Sequence, residues 1–312
     1  MLDVIASSFT QGLLWAVMAV GVYVTFRLLD IADLSAEGVF PLGAAVSASI
    51  ITMEHSQELA PYIPFIATLA AFVAGAIAGL AAGVIHTKLN IPPLLTGILI
   101  LTGLYSINLN IMDGRPNIAL LGKITIFTAL QDATGWSKNT TVAVITAIAL
   151  AIILTILILF LHTEVGLALR ATGDNDKMSE ANGINTNRMK IVGYMIGNGL
   201  IGLAGAMLAQ NNGFADIGMG TGTIVIGLAS VIIAEVVVPN LTLGKRLTTI
   251  IIGSFVYRLI IDTILNQPFV TVKATDLRLF QALLLMLVLY LPEFQKQQGR
   301  LKRRRELAKG RR

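Results

Sequence analysis

With 312 residues, 55% of them hydrophobic, 13% charged and a mean hydropathy of +0.76, the chain is too apolar and too poor in charge for a soluble globule of its length. It reads as a polytopic membrane protein: one transmembrane domain over residues 1–292 and a basic tail over 293–312. The net charge of +5 does not mark a nucleic-acid binder, because nine Lys or Arg against Glu293 and Glu306 in that tail leave the remainder slightly acidic, and a basic juxtamembrane tail reads as a cytoplasmic anchor on anionic lipid.

The first span is predicted at about Ile5–Phe26. Asp3 precedes it and Arg27 is the first basic residue, so the positive leading region of a signal peptide is missing and the span reads as retained. Arg27 places the far end of this span in the cytoplasm. The next stretch, LLDIADLSAEG over Leu28–Gly38, sets Asp30, Asp33 and Glu37 ahead of an apolar run, Val39–Thr52, too short for a full crossing. A polar, glycine-containing lead into a short apolar run predicts a discontinuous helix, tolerated only where it lines a cavity or packs in protein. An interfacial loop with three solvated acids reads equally well.

Tyr62–Ile85 is the third span, with Gly75, Gly79 and Gly83 on one face, the spacing at which helix backbones approach closely in lipid. Leu94–Met112 follows the helix-starting Pro92-Pro93, and Asn108 and Asn110 occupy its outer end, where such residues either contact solute or, more often, simply meet water. Asp113–Asn139 is mixed in charge and carries several glycines, so it is placed outside. Thr141–Leu161 is the fifth span and Ile191–Gln210, with five glycines, the sixth. Between them His162–Lys190 must sit in water. It reads as two short helices: Val165–Thr172, broken by Gly173-Asp174-Asn175, then Asp176–Ala181, capped by Asp174 or Asn175 and ended by Asn182-Gly183. Met178 and Ala181 share one face of the second.

Ala215-Asp216-Ile217, followed by Gly222, Gly227 and Ala229, echoes Ala32-Asp33-Leu34 followed by Gly38, Gly43 and Ala45. Such an echo points to a two-halved transporter. Gly222–Val238 with Glu235 is the seventh span, and Leu247–Leu265 the eighth. The eighth holds Arg258 and Asp262 four apart, where they can pair as a buried staple or act in a gate. Leu277–Leu291 is the last. The result is an all-α helical bundle of about nine spans, with the C-terminus in the cytoplasm and a weak inverted repeat.

Within the loop, Gly166, Arg170-Ala171, Asn175, Ala181 and Gly183-Ile184-Asn185, followed by Gly202 and Gly205 in the next helix, resemble the central cytoplasmic loop of one ABC importer permease family. That family includes the membrane subunits for branched-chain amino acids, ribose and nucleosides. The resemblance covers nearly the whole chain and implies that the loop, including Asp176 and Met178, is a coupling helix docking into an ATP-binding-cassette ATPase. It further implies a second permease copy, an extracytoplasmic solute-binding protein, and a bacterial-type plasma membrane. The opening FRLLDIADLSAEGVFPLGAAV and HTKLNIPPLLTGILILTGLYSINLNIMDGRPNI look closer to a subgroup associated with aromatic amino acid uptake than to the sugar branch.

The chain is not expected to be an enzyme. Neither Gly122-Lys123-Ile124 nor Gly244-Lys245-Arg246 completes a P-loop, so ATP and Mg²⁺ belong on the partner ATPase and this chain binds no cofactor. With no cysteine and three isolated histidines, no metal site is expected. The pathway candidates are Asp33, Glu37, Asn108, Asp216, Glu235, Arg258 and Asp262. Asp33, Glu37 and Glu235 would equally suit an ion-coupled secondary transporter, which remains the alternative.

Overall fold

The computed structural model describes residues 2–53, 59–238, 241–265 and 278–290; the side chains of residues 2–4 are not among them. The basic tail, the 266–276 loop and parts of the connections at 53–61 and 239–246 lie outside the described residues. Among the described residues, seven helices are long and apolar enough to cross a membrane: α1 (Leu2–Tyr23, prolonged to Leu28 by a π-helical turn), α3 (Ile63–Lys88), α4 (Pro93–Ile111), α6 (Lys138–Leu161), α9 (Thr186–Asn212), α10 (Thr223–Val237, led by a 3₁₀ turn over Ile217–Gly220) and α11 (Leu243–Leu265). Two shorter apolar helices, α2 (Ala36–Thr52) and α12 (Arg278–Tyr290), accompany them. Three small helices lie in the connections: α5 (Ile126–Thr134), α7 (Glu164–Asp174) and α8 (Asp176–Ala181).

The expected bundle with discontinuous helices is what forms. α2, with 17 residues, is about 25 Å long and falls short of a ~30 Å hydrocarbon core. The non-helical stretch 29–35 makes up the difference. It enters at Leu29, packed on Gly193 of α9, and reaches Ser35, whose hydroxyl donates to Asn198 Oδ1 at 3.2 Å. Asp30 takes the left-handed conformation there (φ 56°), which Asp tolerates better than most residues. α10 is the second broken element, interrupted at Thr221-Gly222, where Gly222 has φ 80°.

The glycines predicted to mark close packing do so. A Cβ on Gly75 or Gly79 would strike the Asn198 or Tyr194 carbonyl of α9, one on Gly43 would land on the Gly202 carbonyl, and one on Gly205 on that of Phe40. α9 is thus gripped backbone to backbone by α2 and α3, contacts that replace lipid with closely packed atoms and gain in dispersion.

Contacts fix the directions. α2 runs parallel to α9, with Ser35 beside Asn198, Gly43 beside Gly202 and Ser47 accepting from Gln210 at 3.0 Å. α10 runs parallel to α1, through Gly227 on Val22 and Glu235 on Arg27, and α1 runs opposite to α9, with Gly21 near Ile201 and Thr25 near Gly197. The two broken helices are therefore antiparallel. Their echo extends to hydrogen bonds: Asp33 Oδ1 accepts from Ser35 N at 2.9 Å and Asp33 Oδ2 from the Asn198 amide at 2.7 Å, while Asp216 Oδ1 accepts from Gly218 N at 2.7 Å and Asp216 Oδ2 from the Asn117 amide at 3.3 Å.

One end of the bundle carries the α7–α8 loop. The other carries a short antiparallel ladder, β1 (Asn117–Ala119) with β2 (Phe214–Asp216), beside α5. The predicted polar interval 113–139 thus contains a strand and an amphipathic helix whose capping box pairs Thr125 with Thr128.

Candidate functional site

Two places gather the residues singled out from the sequence. The first is the loop. Most of the residues that resemble the permease family build it. Gly166 lets α7 cross against the Phe160–Leu161 backbone, and its N–H donates to Thr163 Oγ1 at 3.2 Å. The Ala171 carbonyl accepts from Asn175 N at 3.0 Å, so α7 continues through Gly173 to Asp174 and does not break at Gly173. Helical geometry there lets the Gly173 backbone rest on the Leu28 carbonyl, where a side chain has no room.

Asn175 Oδ1 then accepts from Met178 N at 3.0 Å and starts α8. Gly183 (φ 84°) turns the chain, the Ile184 N–H returns to the Ser179 carbonyl at 3.1 Å, and Asn185 Oδ1 caps α9 by accepting from Arg188 N at 3.1 Å. Lys190 Nζ reaches Asp176 Oδ2 at 2.6 Å and ties α8 to α9. With Leu169 fully buried, the loop is a folded platform on the bundle.

What the platform offers outward is Met178, 64% exposed, with Ala181 exposed on the same helix. Val165 and Leu167 on α7 are also exposed, and the sequence reading did not single out either as a contact. Their signal was available: two branched apolar residues in a segment that must sit in water. Arg170 faces a polar cavity of about 420 Å³ shared with Tyr23, Arg27, Asp174 and Arg246.

The second place is the junction of the broken helices. Glu37, in the first turn of α2, accepts the Gly222 N–H through Oε1 at 3.0 Å, and the Gly220 backbone rests on the Glu37 carbonyl. The carboxylate therefore sits at the N-terminal, partially positive end of α10. Asn108 of α4 donates to the Gly38 carbonyl at 3.1 Å. Asp33 is buried one step away and is held by Ser35 and by Asn198, a polar residue in mid-span that the sequence reading passed over.

The remaining candidates are elsewhere. Asp216 lies at the ladder, Glu235 pairs with Arg27 at 2.6 Å toward the loop end, and Arg258 with Asp262 sits on α11 beside Ser8. Each of these carboxylates already has a partner. Among the described residues no group of three or more His, Asp or Glu could hold a metal ion.

Antiparallel broken helices meeting inside a multispan bundle are a construction found in solute transporters. The chain belongs to the family described as the branched-chain amino acid transport system permease component, whose profile matches residues 4–291. Among its relatives, the tyrosine transport system permease protein of Clostridioides difficile (strain R20291) is 40% identical over 283 residues, 90% of this chain and 89% of that one. An uncharacterised protein of Rickettsia prowazekii (strain Madrid E) is 32% identical over 85% of this chain and 90% of its own length. The ribose import permease protein of Escherichia coli (strain K12) is 27% identical over 77% of this chain and 71% of its own. No solved structure matches the chain. The chain is thus a multispan membrane protein homologous to ABC-importer permease subunits for small polar solutes.

Proposed function

We propose that this chain is the membrane-spanning subunit of an amino acid importer of the bacterial plasma membrane, in which two copies enclose the pathway and ATP, with Mg²⁺, is hydrolysed on a separate ATPase docked at His162–Lys190. The loop end faces the cytoplasm, together with the basic C-terminal tail. The ladder end receives solute from an extracytoplasmic binding protein. An aromatic amino acid is the solute this reading favours, on the strength of the relative named for tyrosine transport.

One observation carries the reading: α8 is a short capped helix tied by Asp176 to Lys190 of α9, next to α7, which Gly173 and Leu169 seat on the bundle, with Met178 turned outward. An apolar side chain on an ordered polar platform is a contact for another protein. The Asp33 and Glu235 carboxylates, which an ion-coupled transporter would need, are instead held by Ser35 and Asn198 and by Arg27.

The test is Ala181→Arg, which sets an unpaired charge at the docking face and touches nothing inside the bundle. It is expected to abolish copurification of the ATPase and ATP-driven uptake while membrane insertion stays at the wild-type level. Undiminished copurification and uptake would remove the docking assignment.

A further inference from the structure

Between α2, α4 and the 217–222 stretch lies a pocket of about 320 Å³, at the small end of the roughly 300–1,000 Å³ typical of small-molecule sites. Its polar lining comes from Glu37, Asn108 and Thr221, its apolar lining chiefly from Leu101 and Tyr105. Asn108 is 1% exposed, and its amide N–H donates to the Gly38 carbonyl at 3.1 Å. Because a carbonyl can only accept, that bond fixes which end of the amide is which. The other end, Oδ1, is a buried acceptor with no hydrogen-bond partner among the described residues. Buried acceptors are almost always satisfied, so an unpaired one on a residue that lines a cavity points to something that enters it.

Glu37 adds a second acceptor. Its Oε1 takes the Gly222 N–H at 3.0 Å, and a carboxylate has lone pairs for more than one donor. Among the described residues, no Lys, Arg or His lines the pocket. The complement of a carboxylate and an open amide oxygen is a compact cation rich in N–H donors. Tyr105, 58% exposed, also lines the pocket and brings an aromatic ring to it, suited to a cation or to an apolar remainder.

We infer that this pocket binds the ammonium group of the transported solute, with the Glu37 carboxylate and Asn108 Oδ1 as its acceptors and Leu101 and Tyr105 against the rest of the molecule. The inference deepens, and rests on, the reading of the chain as an importer permease. An ammonium seated there shares the Glu37 carboxylate with the Gly222 N–H, so occupancy is felt where the two broken helices meet.

Binding is measured on the full-length permease in lipid nanodiscs with three probes: tyramine, L-tyrosine and 3-(4-hydroxyphenyl)propionate. The two amines are expected to bind, and the propionate at least about tenfold more weakly, the worth of one charge-assisted contact. Glu37→Gln keeps an oxygen for the Gly222 N–H and removes the charge. It should weaken both amines about tenfold or more while leaving the unfolding temperature and the propionate unchanged. Asn108→Leu should act in the same direction; if it does not fold, Glu37→Gln still decides. Equal binding of all three probes, no binding of either amine, or indifference to Glu37→Gln each overturns the inference. ATP-driven L-tyrosine uptake by permease, ATPase and binding protein reconstituted together separates the two readings. Uptake that survives Glu37→Gln sinks the pocket alone, and amine binding without uptake by the wild type sinks the importer reading alone.

Discussion

Asp262 grips Arg258 at two points, Oδ1 from Nη2 at 2.9 Å and Oδ2 from Nε at 3.0 Å, and the same Oδ2 accepts from the Ser8 hydroxyl at 2.7 Å. The sequence spacing offered this pair as gate or staple. The Ser8 contact joins α11 to α1, which is what a staple does, and removing one partner of a buried, hydrogen-bonded charge pair leaves the other uncompensated. Asp262→Ala strands Arg258 and releases Ser8, so it is expected to lower the folded fraction more than Arg258→Ala does. The double change should recover most of the loss of Asp262→Ala. Fluorescence-detected size exclusion gives folded protein and uptake gives function; additive losses would show that the two do not interact.

Glycine position decides tolerance along the spans. Gly43 faces the Gly202 carbonyl, whereas among the described residues nothing lies within 4 Å of where a Cβ on Gly103 would sit. Gly43→Ala should therefore collapse the yield of folded protein. Gly103→Ala should be neutral or raise the unfolding temperature, since Ala is better than Gly in a helix by about 1 kcal/mol. Equal behaviour of the two variants would refute the packing of α2 on α9.

Asp33 depends on a residue 165 positions away. Asn198→Leu removes the amide that donates to Oδ2 at 2.7 Å and leaves a buried carboxylate short of a donor, at a cost of about 1–3 kcal/mol. Folded yield should fall. Asp33→Asn made in the Asn198→Leu background should restore part of it, because a neutral amide is cheaper to leave unpaired. No restoration would place the damage of Asn198→Leu in packing rather than in the lost donor.

Sidedness is open to a direct measurement because the chain has no cysteine. Single cysteines replacing Met178, 64% exposed on the platform, and Leu121, 86% exposed beside the ladder, should be labelled by an impermeant thiol reagent from opposite sides. The reagent should reach position 178 only from the cytoplasm. Labelling of position 178 in intact cells would invert the proposed orientation.

Features coded by neighbours were readable in the sequence. The loop helices follow from caps within four residues, Asn175 to Met178 and Asn185 to Arg188, and the grip of α3 on α9 from glycines four apart. The echo of Asp33 in Asp216 was legible as a pattern, and the structure adds the shared bonding, each Asp taking an N–H two residues on and an Asn amide.

What escaped depends on contacts across the chain. Glu37 with Gly222, the ladder of 117–119 with 214–216, and Gln210 are all of this kind. The Gln210 amide donates to Ser47 and Thr68, and its Oε1 accepts from Ile126 N. No periodicity announces which distant donor a buried amide will meet. Asn198 and Gln210 carried a weaker signal, as amides inside an otherwise apolar, glycine-rich span.

The backbone grip on α9 has a mechanical consequence. Where one helix's carbonyls touch another's Cα atoms there are no long side chains to change rotamer, so the surfaces cannot slide by small steps. α2, α3 and α9 must tilt as one lever. Under the proposed docking, a push on Met178 would meet that lever at its base, where Lys190 of α9 holds Asp176 and the Gly173 backbone crosses Leu28.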